Sequence, residues 1–275
     1  MLRDILVYAD GRAEAQHRLN YAAGLARDHQ AHLTALHIRH PPFIPADVMG
    51  TGVADTVIQV QRETQEEQAK AARKMVDATA GRFGINIEWR DVEGDIDNTL
   101  VAHGYYSDLV VIGQRQTRLD LEPPYSPDPG RTIVTAGRPV IVFPRDREVK
   151  TVGRNILIAW KASAPAARAV SDALPLLRQA REVTVMEVTE DAVSRRIIGA
   201  DIATHLSRQG VTLAVEPFIA SAADAFPLIQ TRAMDLGVDM IVMGGYGYPR
   251  LWEIMLGGVT RRMLQELFVP VFFSH

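Results

Sequence analysis

A cluster of glycines near the end of the chain has a spacing that could hold a phosphate. Gly244 and Gly247 follow a short apolar run, and after nine intervening residues Gly257 and Gly258 come at the start of a helical pattern. Glycine permits positive φ and has no Cβ to keep a phosphate away from backbone N–H groups, while the first turn of a helix presents unpaired N–H donors. The spacing indicates an anion site, although tight strand-to-helix turns use glycine whether or not anything binds.

The chain contains two copies of one α/β repeat. The apolar runs that end in Gly113 and Gly244 are preceded by Asp108 and Asp239, so the two glycines mark equivalent points of the two copies. Each aspartate stands at the start of its strand, and we expect it to cap the preceding turn rather than act as a general base. The repeat makes the two halves directly comparable.

The glycine pattern is degenerate in the first half. Gln116 replaces the second glycine, and Ser126 and Pro127 align with the later glycine pair. Proline has no N–H to offer a phosphate, and the surrounding loop, residues 121 to 129, carries two carboxylates. We therefore expect the nucleotide site, if there is one, in the second half.

The elements that position these residues alternate between strand and helix. Short runs that are largely apolar are typical of strands buried on both faces, and the stretches between them have helical patterns. The strands are predicted at residues 5–9, 33–38, 109–113, 140–143, 156–160, 183–188, 211–216, 240–243 and 269–273. This order predicts an α/β fold of two tandem, doubly wound, mostly parallel five-stranded sheets flanked by helices.

The two predicted domains are 1–148, with the degenerate motif, and 149–275, with the glycine motif. The first contains an insertion, a loop rich in proline and glycine from His40 to Gly52 and a long polar helix from about Ala54 to Gly81. A solvated face on an extended helix is the favoured interpretation of its charges, and a lid over a site is the alternative. A polar linker is expected between Pro144 and Gly153.

Composition limits the classes of partner. The chain has 275 residues, 47% of them hydrophobic, with a net charge of −3 and no cysteine. We expect no nucleic-acid partner, no thiolate metal site and no cysteine nucleophile. The first strand lies almost at Met1 and no apolar run is long enough to span a bilayer, so we expect a soluble, cytoplasmic protein without a membrane partner.

The second half resembles the universal stress protein family. The signature of that family is a glycine, two residues, a glycine, nine residues, and then a glycine followed by serine or threonine. Gly244, Gly247 and Gly257 match this spacing, and the alternation of strand and helix extends the resemblance over nearly the whole chain. The resemblance implies a tandem member with two Rossmann-like domains, and nucleotide-binding members of the family hold adenine nucleotides at this motif.

Two departures from the family pattern fall in the second half. The family's aspartate after the first strand is replaced by Lys161, and its final serine or threonine by Gly258. Thr260 is close enough on the helix start to lend a hydroxyl. Lys161 is a compensating cation for phosphate, an ordinary surface lysine, or a sign that nucleoside recognition is lost. In the first half Asp10 occupies the aspartate position without the glycines.

Signals for catalysis or metal binding are weak. The chain has no P-loop, and Ser163 and Ser171 lack the setting of a nucleophile elbow. Two pairs of histidines at i, i+3 have no supporting third ligand, so we expect no metal and regard them as surface or core residues. They are His29 with His32, and His37 with His40.

The last strand of each half is apolar and is predicted to lie at a sheet edge, where it invites pairing. In the family this strand commonly builds contacts between domains or subunits. The resemblance therefore implies an intramolecular pseudo-dimer, with a further homodimer as an additional possibility.

The favoured function is that of a non-enzymatic stress-response protein that binds ATP or AMP, with magnesium in the case of ATP, in its C-terminal domain. Binding would change its assembly or an unknown protein partner. The alternative is a stress-related interaction or scaffold protein with no functional nucleotide site, and an ATP-dependent enzyme is the third hypothesis. The predicted binding residues are Gly244, Gly247, Gly257, Gly258, Thr260 and Lys161.

Overall fold

The structure, a computed structural model, forms two compact units, Met1–Thr132 and Ile133–His275. It describes residues 1–43, 53–115, 126–145, 147, 149–189, 195–219, 224–246 and 258–275. Within these residues no helix is both long and apolar enough to cross a bilayer.

The first unit contains a parallel sheet in the order β3-β2-β1-β4. Its strands are β1 (Asp4–Tyr8), β2 (His32–Arg39), β3 (Ile87–Glu93) and β4 (Leu109–Gly113). Its helices are α1 (Ala15–His29), α2 (Ala54–Phe83), α3 (Ile96–Gly104) and the start of α4 (Pro129–Thr135). The central strands β1 and β4 are nearly all apolar because both of their faces are buried.

The second unit contains six strands in the order β5-β10-β9-β6-β7-β8. They are β5 (Val140–Phe143), β6 (Asn155–Trp160), β7 (Glu182–Thr189), β8 (Ala214–Ile219), β9 (Met240–Gly244) and β10 (Val271–Ser274). Every pairing is parallel except that of β5 with β10. The helices are α5 (Ala164–Leu177), α6 (Arg195–Arg208), α7 (Ala225–Asp235) and α8 (Gly258–Gln265).

The predicted α/β class and mostly parallel sheet are confirmed, and the two apolar strands predicted to lie at edges pair with each other. Val140 of β5 is opposite Phe273 of β10. This pairing brings β5 into the second compact unit, although the sequence repeat assigns the strand to the first half. The domain boundary at residue 148 stays a prediction about the repeat.

Asp108 and Asp239 anchor equivalent points of the two units. One carboxylate oxygen of Asp108 accepts from the backbone N–H of Arg3, at 2.6 Å, and of Asp4. Asp239 accepts from the N–H groups of Arg154 and Asn155, at 2.9 and 3.0 Å. The aspartates thus cap the start of the first strand of their unit, not the turn before their own strand. They lie at the amino edge of the sheet, away from any site at the carboxyl edge.

Helix α2, the insertion predicted from the sequence, packs directly on the turn after β1. Gly11 has φ of +73°, and a Cβ added to it would lie 2.5 Å from the carbonyl oxygen of Gln68 and 3.0 Å from the nitrogen of Ala72. The backbone of Phe43 is tied to α2 by two hydrogen bonds with the amide of Gln61. Residues 44–52, the rest of the proposed lid, lie outside the described residues, so the lid stays a prediction.

Replacement of Gly11 by alanine should destabilise the protein by about 2–4 kcal/mol, since the methyl group would clash with backbone atoms of α2 and alanine is disfavoured at positive φ. Gly84→Ala is the matched control, because Gly84 also has positive φ, +65°, but a Cβ there meets nothing within 4 Å. Urea unfolding of the two variants checks this. Equal losses would show that α2 does not press on the turn.

Candidate functional site

The candidate sites lie at the carboxyl ends of the parallel strands, where open α/β sheets bind ligands. In the first unit this edge is formed by the residues that follow β1 and β4, and in the second unit by those that follow β6 and β9. The two edges share a topology, but the side chains that occupy them differ.

In the first unit, the carboxylate of Asp10 is taken by Arg18 of α1. Nη2 of Arg18 lies 2.8 Å from Oδ1 of Asp10, and only 4% of the Arg18 side chain is exposed. Nε of the same guanidinium donates to the carbonyl oxygen of Tyr8 at 2.6 Å. The backbone N–H of Arg12 also donates to Asp10. The aspartate that the family resemblance assigns to nucleoside binding is therefore engaged inside the protein.

Arg18 also explains the glycine at the end of β4. A Cβ added to Gly113 would lie 3.0 Å from Nη1 of Arg18. In this unit the absence of a side chain makes room for the guanidinium rather than for a ligand. Sequence reasoning missed Arg18; the signal was an arginine on the helix face that buries Ala15, Leu19 and Ala22.

The start of α4 is likewise filled by the chain itself. Oδ1 of Asp128 accepts from the backbone N–H groups of Gly130, at 2.8 Å, and of Arg131, at 3.3 Å. Its Oδ2 accepts from Arg115. The sequence comparison emphasised Ser126 and Pro127, but α4 begins at Pro129, and the carboxylate of Asp128 lies where a phosphate would bind.

Burial raises the pKa of Asp97, next to this cluster, although the backbone N–H of Asp128 donates to it at 2.7 Å and opposes the shift. The carboxylates of Asp97 and Asp128 make the first unit a poor anion site. The absence of a nucleotide from the first half stays a prediction.

In the second unit the residue after β6 is an exposed cation. Lys161 lies in the turn between β6 and α5, and its carbonyl oxygen accepts from the hydroxyl of Ser163 at 3.2 Å. Ser163 also accepts from the N–H of Ala166 and caps α5. Within the described part of the chain Lys161 forms no ion pair, in contrast to Asp10 at the equivalent position.

The turn after β9 is shaped by close packing. A Cβ added to Gly244 would lie 2.6 Å from the nitrogen of Ala166, so this glycine is needed for the contact between β9 and α5. The N–H of Gly245 donates to the carbonyl of Ser274 at 2.8 Å. Tyr246 then adopts φ of +45°, in the left-handed region. Gly244 thus has a packing role whether or not it contacts a ligand.

The start of α8 is not occupied by another described residue. Gly258 is exposed, a Cβ added to it meets no described atom within 4 Å, and the first turn of the helix contains no acidic residue. Thr260, in the same turn, is 6% exposed. Gly247 and Gly257, the other two glycines of the predicted motif, lie outside the described residues. The structure therefore describes Lys161, Gly244, Gly258 and Thr260 of the six predicted binding residues.

Two polar side chains that sequence reasoning missed lie at the same edge of the second unit. Glu187, in β7, is 2% exposed, and its Oε2 has no hydrogen-bond partner among the described residues. Nε1 of Trp160, opposite it in β6, is buried and equally without a partner within that part of the chain. Burial raises the pKa of Glu187. A glutamate in a run of apolar strand residues was the available signal.

The four histidines considered as metal ligands have other surroundings. His32 contacts Glu88 at 2.6 Å, His37 contacts the carbonyl of Ala9 at 2.7 Å, and His40 contacts that of Pro41. His29 is buried in α1. The described ranges contain no group of three or more residues that could hold a metal ion.

Comparison with known proteins agrees with this architecture. Residues 1–121 match the model of the universal stress protein family. A universal stress protein of Synechocystis sp. is 24% identical over 294 residues, an alignment that covers 98% of this chain and 99% of that protein.

Two solved structures have the same fold over nearly the whole chain. A universal stress protein from Archaeoglobus fulgidus superposes with a TM-score of 0.73 at 16% identity, and the match covers 98% of this chain and 95% of the other. A functionally unknown protein from Pseudomonas aeruginosa superposes with a TM-score of 0.59 at 17% identity, covering 99% and 92%.

The mostly parallel α/β fold, with glycines at the carboxyl edge of its sheets, defines a Rossmann-like protein. Within that class the chain is similar to universal stress proteins, and its first 121 residues match the model of that family.

Replacement of Arg18 by methionine should destabilise the protein by about 3 kcal/mol, because the buried carboxylate of Asp10 loses its cation. The double variant with Asp10→Asn should regain much of the lost stability, because it no longer buries an unpaired carboxylate. The control is Arg27→Met, whose ion pair with Asp28 is about half exposed on both sides. Urea unfolding measures all three; a single variant as stable as the control would contradict a buried pair.

Replacement of Glu187 by glutamine should stabilise the protein at pH 8 by about 1 kcal/mol. Burial raises the pKa of Glu187 in the folded state. The contribution of the Glu187 carboxyl group to the free energy of unfolding is therefore fully present below its unfolded pKa and is lost as the pH rises through its folded pKa. The difference between variant and wild type should therefore shrink at pH 4. Glu182→Gln, at the exposed start of the same strand, is the matched control in urea unfolding.

Proposed function

We propose that the protein is a non-enzymatic stress-response protein that binds an adenine nucleotide, ATP or AMP, in its second unit. The observation that carries the proposal is a contrast between equivalent helix starts. The residue before α4 is Asp128, whose carboxylate accepts from the first N–H groups of that helix, whereas in the sequence a glycine, Gly257, precedes α8, and a Cβ added to Gly258 meets no described atom within 4 Å.

The phosphates are the part of the ligand that this contrast supports. Backbone N–H groups at the start of α8 are suited to an anion, and the hydroxyl of Thr260 is in the same turn. Among the described residues nothing lies within 4 Å of a Cβ added to Gly258, so the missing side chain favours close approach to the backbone. The spacing of Gly244, Gly247 and Gly257 adds the family's phosphate-binding pattern.

Lys161 fits this proposal as a cation for the phosphates. It is exposed, it follows the first strand of the unit, and it has no ion-pair partner in the described ranges. A lysine binds phosphate as a point charge and can be attracted to an anion from several directions. The replacement of aspartate by lysine thus favours contacts with the phosphates over contacts with the ribose.

A binding role without turnover is favoured by the residue types at the site. The described candidates are two glycines, a threonine and a lysine, which can hold an anion but do not form an acid–base pair. A nucleotide that binds one state of the protein better than another shifts its assembly or its choice of partner. We place this activity in the cytoplasm, with an intramolecular pseudo-dimer as the basic unit and magnesium accompanying ATP.

The test is calorimetric titration of the full chain with ATP and AMP, with and without magnesium. Gly258→Asp places a carboxylate at the start of α8, as Asp128 does at α4, and should weaken ATP binding at least about tenfold through charge repulsion. Gly258→Asn has nearly the same size without the charge and should lose clearly less. Asp128→Asn, in the first unit, should leave ATP affinity unchanged.

An equal loss in the aspartate and asparagine variants would remove the electrostatic basis of the proposal. Failure of the wild-type chain to bind either nucleotide at millimolar concentration would reject nucleotide binding in favour of the interaction or scaffold protein. The observation that favours a scaffold protein is the carboxyl edge of the first unit, which is filled by the protein's own side chains.

A further inference from the structure

The carboxyl edge of the second unit contains two hydrogen-bonding atoms, on facing residues, that no described residue uses. The register of β6 and β7 places Trp160 opposite Glu187. Nε1 of Trp160 and Oε2 of Glu187 are both buried, and neither bonds to the other or to any described residue. Buried polar atoms are nearly always paired, so two unpaired atoms on facing residues indicate a missing partner.

Both side chains lie on the face of the sheet that carries α5. Residues that pair in a parallel sheet point to the same face. Ala159 pairs with Met243, so Gly244 follows in register with Trp160, and the Cβ direction of Gly244 points into Ala166 of α5. Helix α5 packs on β9, β10 and β6, and α6 packs on β7 and β8. Trp160 and Glu187 therefore lie at the boundary between the strands covered by α5 and the strands covered by α6.

In the first unit the equivalent position is filled by a side chain of the protein itself. The register of β1 and β2 makes Ala9 and His37 the residues equivalent to Trp160 and Glu187. Nδ1 of His37 contacts the carbonyl of Ala9 at 2.7 Å, and its ring stacks on Trp89 with 5.8 Å between centroids. In the second unit the same two positions instead carry a donor and an acceptor that have no partner within the described part of the chain.

We propose that Trp160 and Glu187 recognise the base of the bound nucleotide, with the indole N–H donating to a ring nitrogen of adenine and the carboxyl group accepting from its 6-amino group. This inference rests on the proposed function and specifies the base it prefers. Indole is only a donor, while a carboxyl oxygen is an acceptor. Adenine presents N7 as an acceptor beside the amino donor, which complements the pair.

Guanine is disfavoured by the same chemistry. Its corresponding edge presents two acceptors, N7 and O6, so that an acceptor would face the carboxyl oxygen of Glu187. A site with a buried polar group rejects a ligand that leaves this group unpaired, because the group has already lost its contact with water. The pair therefore predicts selectivity for adenine over guanine from two side chains.

The test uses adenosine, which lacks phosphates and so reports on the base alone. The ligand should shift the indole N–H resonance of Trp160 in the NMR spectrum of the full chain, and Trp160→Phe identifies that resonance among the three tryptophans. The same variant should bind adenosine at least about fivefold more weakly, as expected for one lost hydrogen bond. Guanosine should produce no shift.

The role of Glu187 is tested with purine riboside, which is adenosine without the 6-amino group. The wild type should bind adenosine at least about fivefold more tightly than purine riboside, and Glu187→Leu should bind the two equally. Glu187→Gln keeps an acceptor oxygen and should keep the preference. Circular dichroism and urea unfolding verify that each variant is folded.

The outcomes separate this inference from the proposed function. Unchanged preferences in the Trp160 and Glu187 variants, together with ATP binding that is lost in Gly258→Asp, would overturn the base-recognition pair and leave the nucleotide site intact. Adenosine binding through the pair without any effect of Gly258→Asp on ATP would overturn the phosphate site alone. Absence of adenosine and ATP binding in the wild type would overturn both.

Discussion

A polar group that leaves water on folding needs a partner, and the two units of this protein satisfy that requirement differently. In the first unit the carboxylate of Asp10 is paired with Arg18, and backbone N–H groups at the start of α4 donate to Asp128. A ligand would have to displace interactions that already exist. In the second unit Glu187 and Trp160 carry unsatisfied atoms among the described residues. The same fold thus has one carboxyl edge that is closed by its own side chains and one with unused hydrogen-bonding capacity.

Substitutions at equivalent strand ends distinguish the two edges. Where one unit has Asp10 the other has Lys161, and where one has His37 the other has Glu187. Each change reverses the charge or the hydrogen-bonding character of a position whose backbone is nearly unchanged, because the strands on either side keep their parallel register. Duplication supplied two equivalent scaffolds, and the side chains at the strand ends made them chemically different.

Much of the fold could be predicted from local pattern. Apolar runs such as Ile5–Ala9 mark strands buried on both faces, and the alternation with helices allows few topologies. The site was less predictable. The glycine spacing identified Gly244, whose packing against Ala166 also requires glycine, and nothing in the spacing distinguishes a packing glycine from a binding one. Arg18 was missed because its partner lies on another element, and the pairing depends on how α1 packs on the sheet.

The sequence by itself determined the α/β class, the repeat, the resemblance to a family and the half of the chain that keeps the glycine motif, since these follow from residue types at short or regular spacing. Only the tertiary structure decided which polar groups are already satisfied. The pairing of Arg18 with Asp10 and the register that places Glu187 opposite Trp160, with no partner for either among the described residues, depend on how separate elements pack. Their energies depend on distance and burial, which exist only once the strands and helices have packed together.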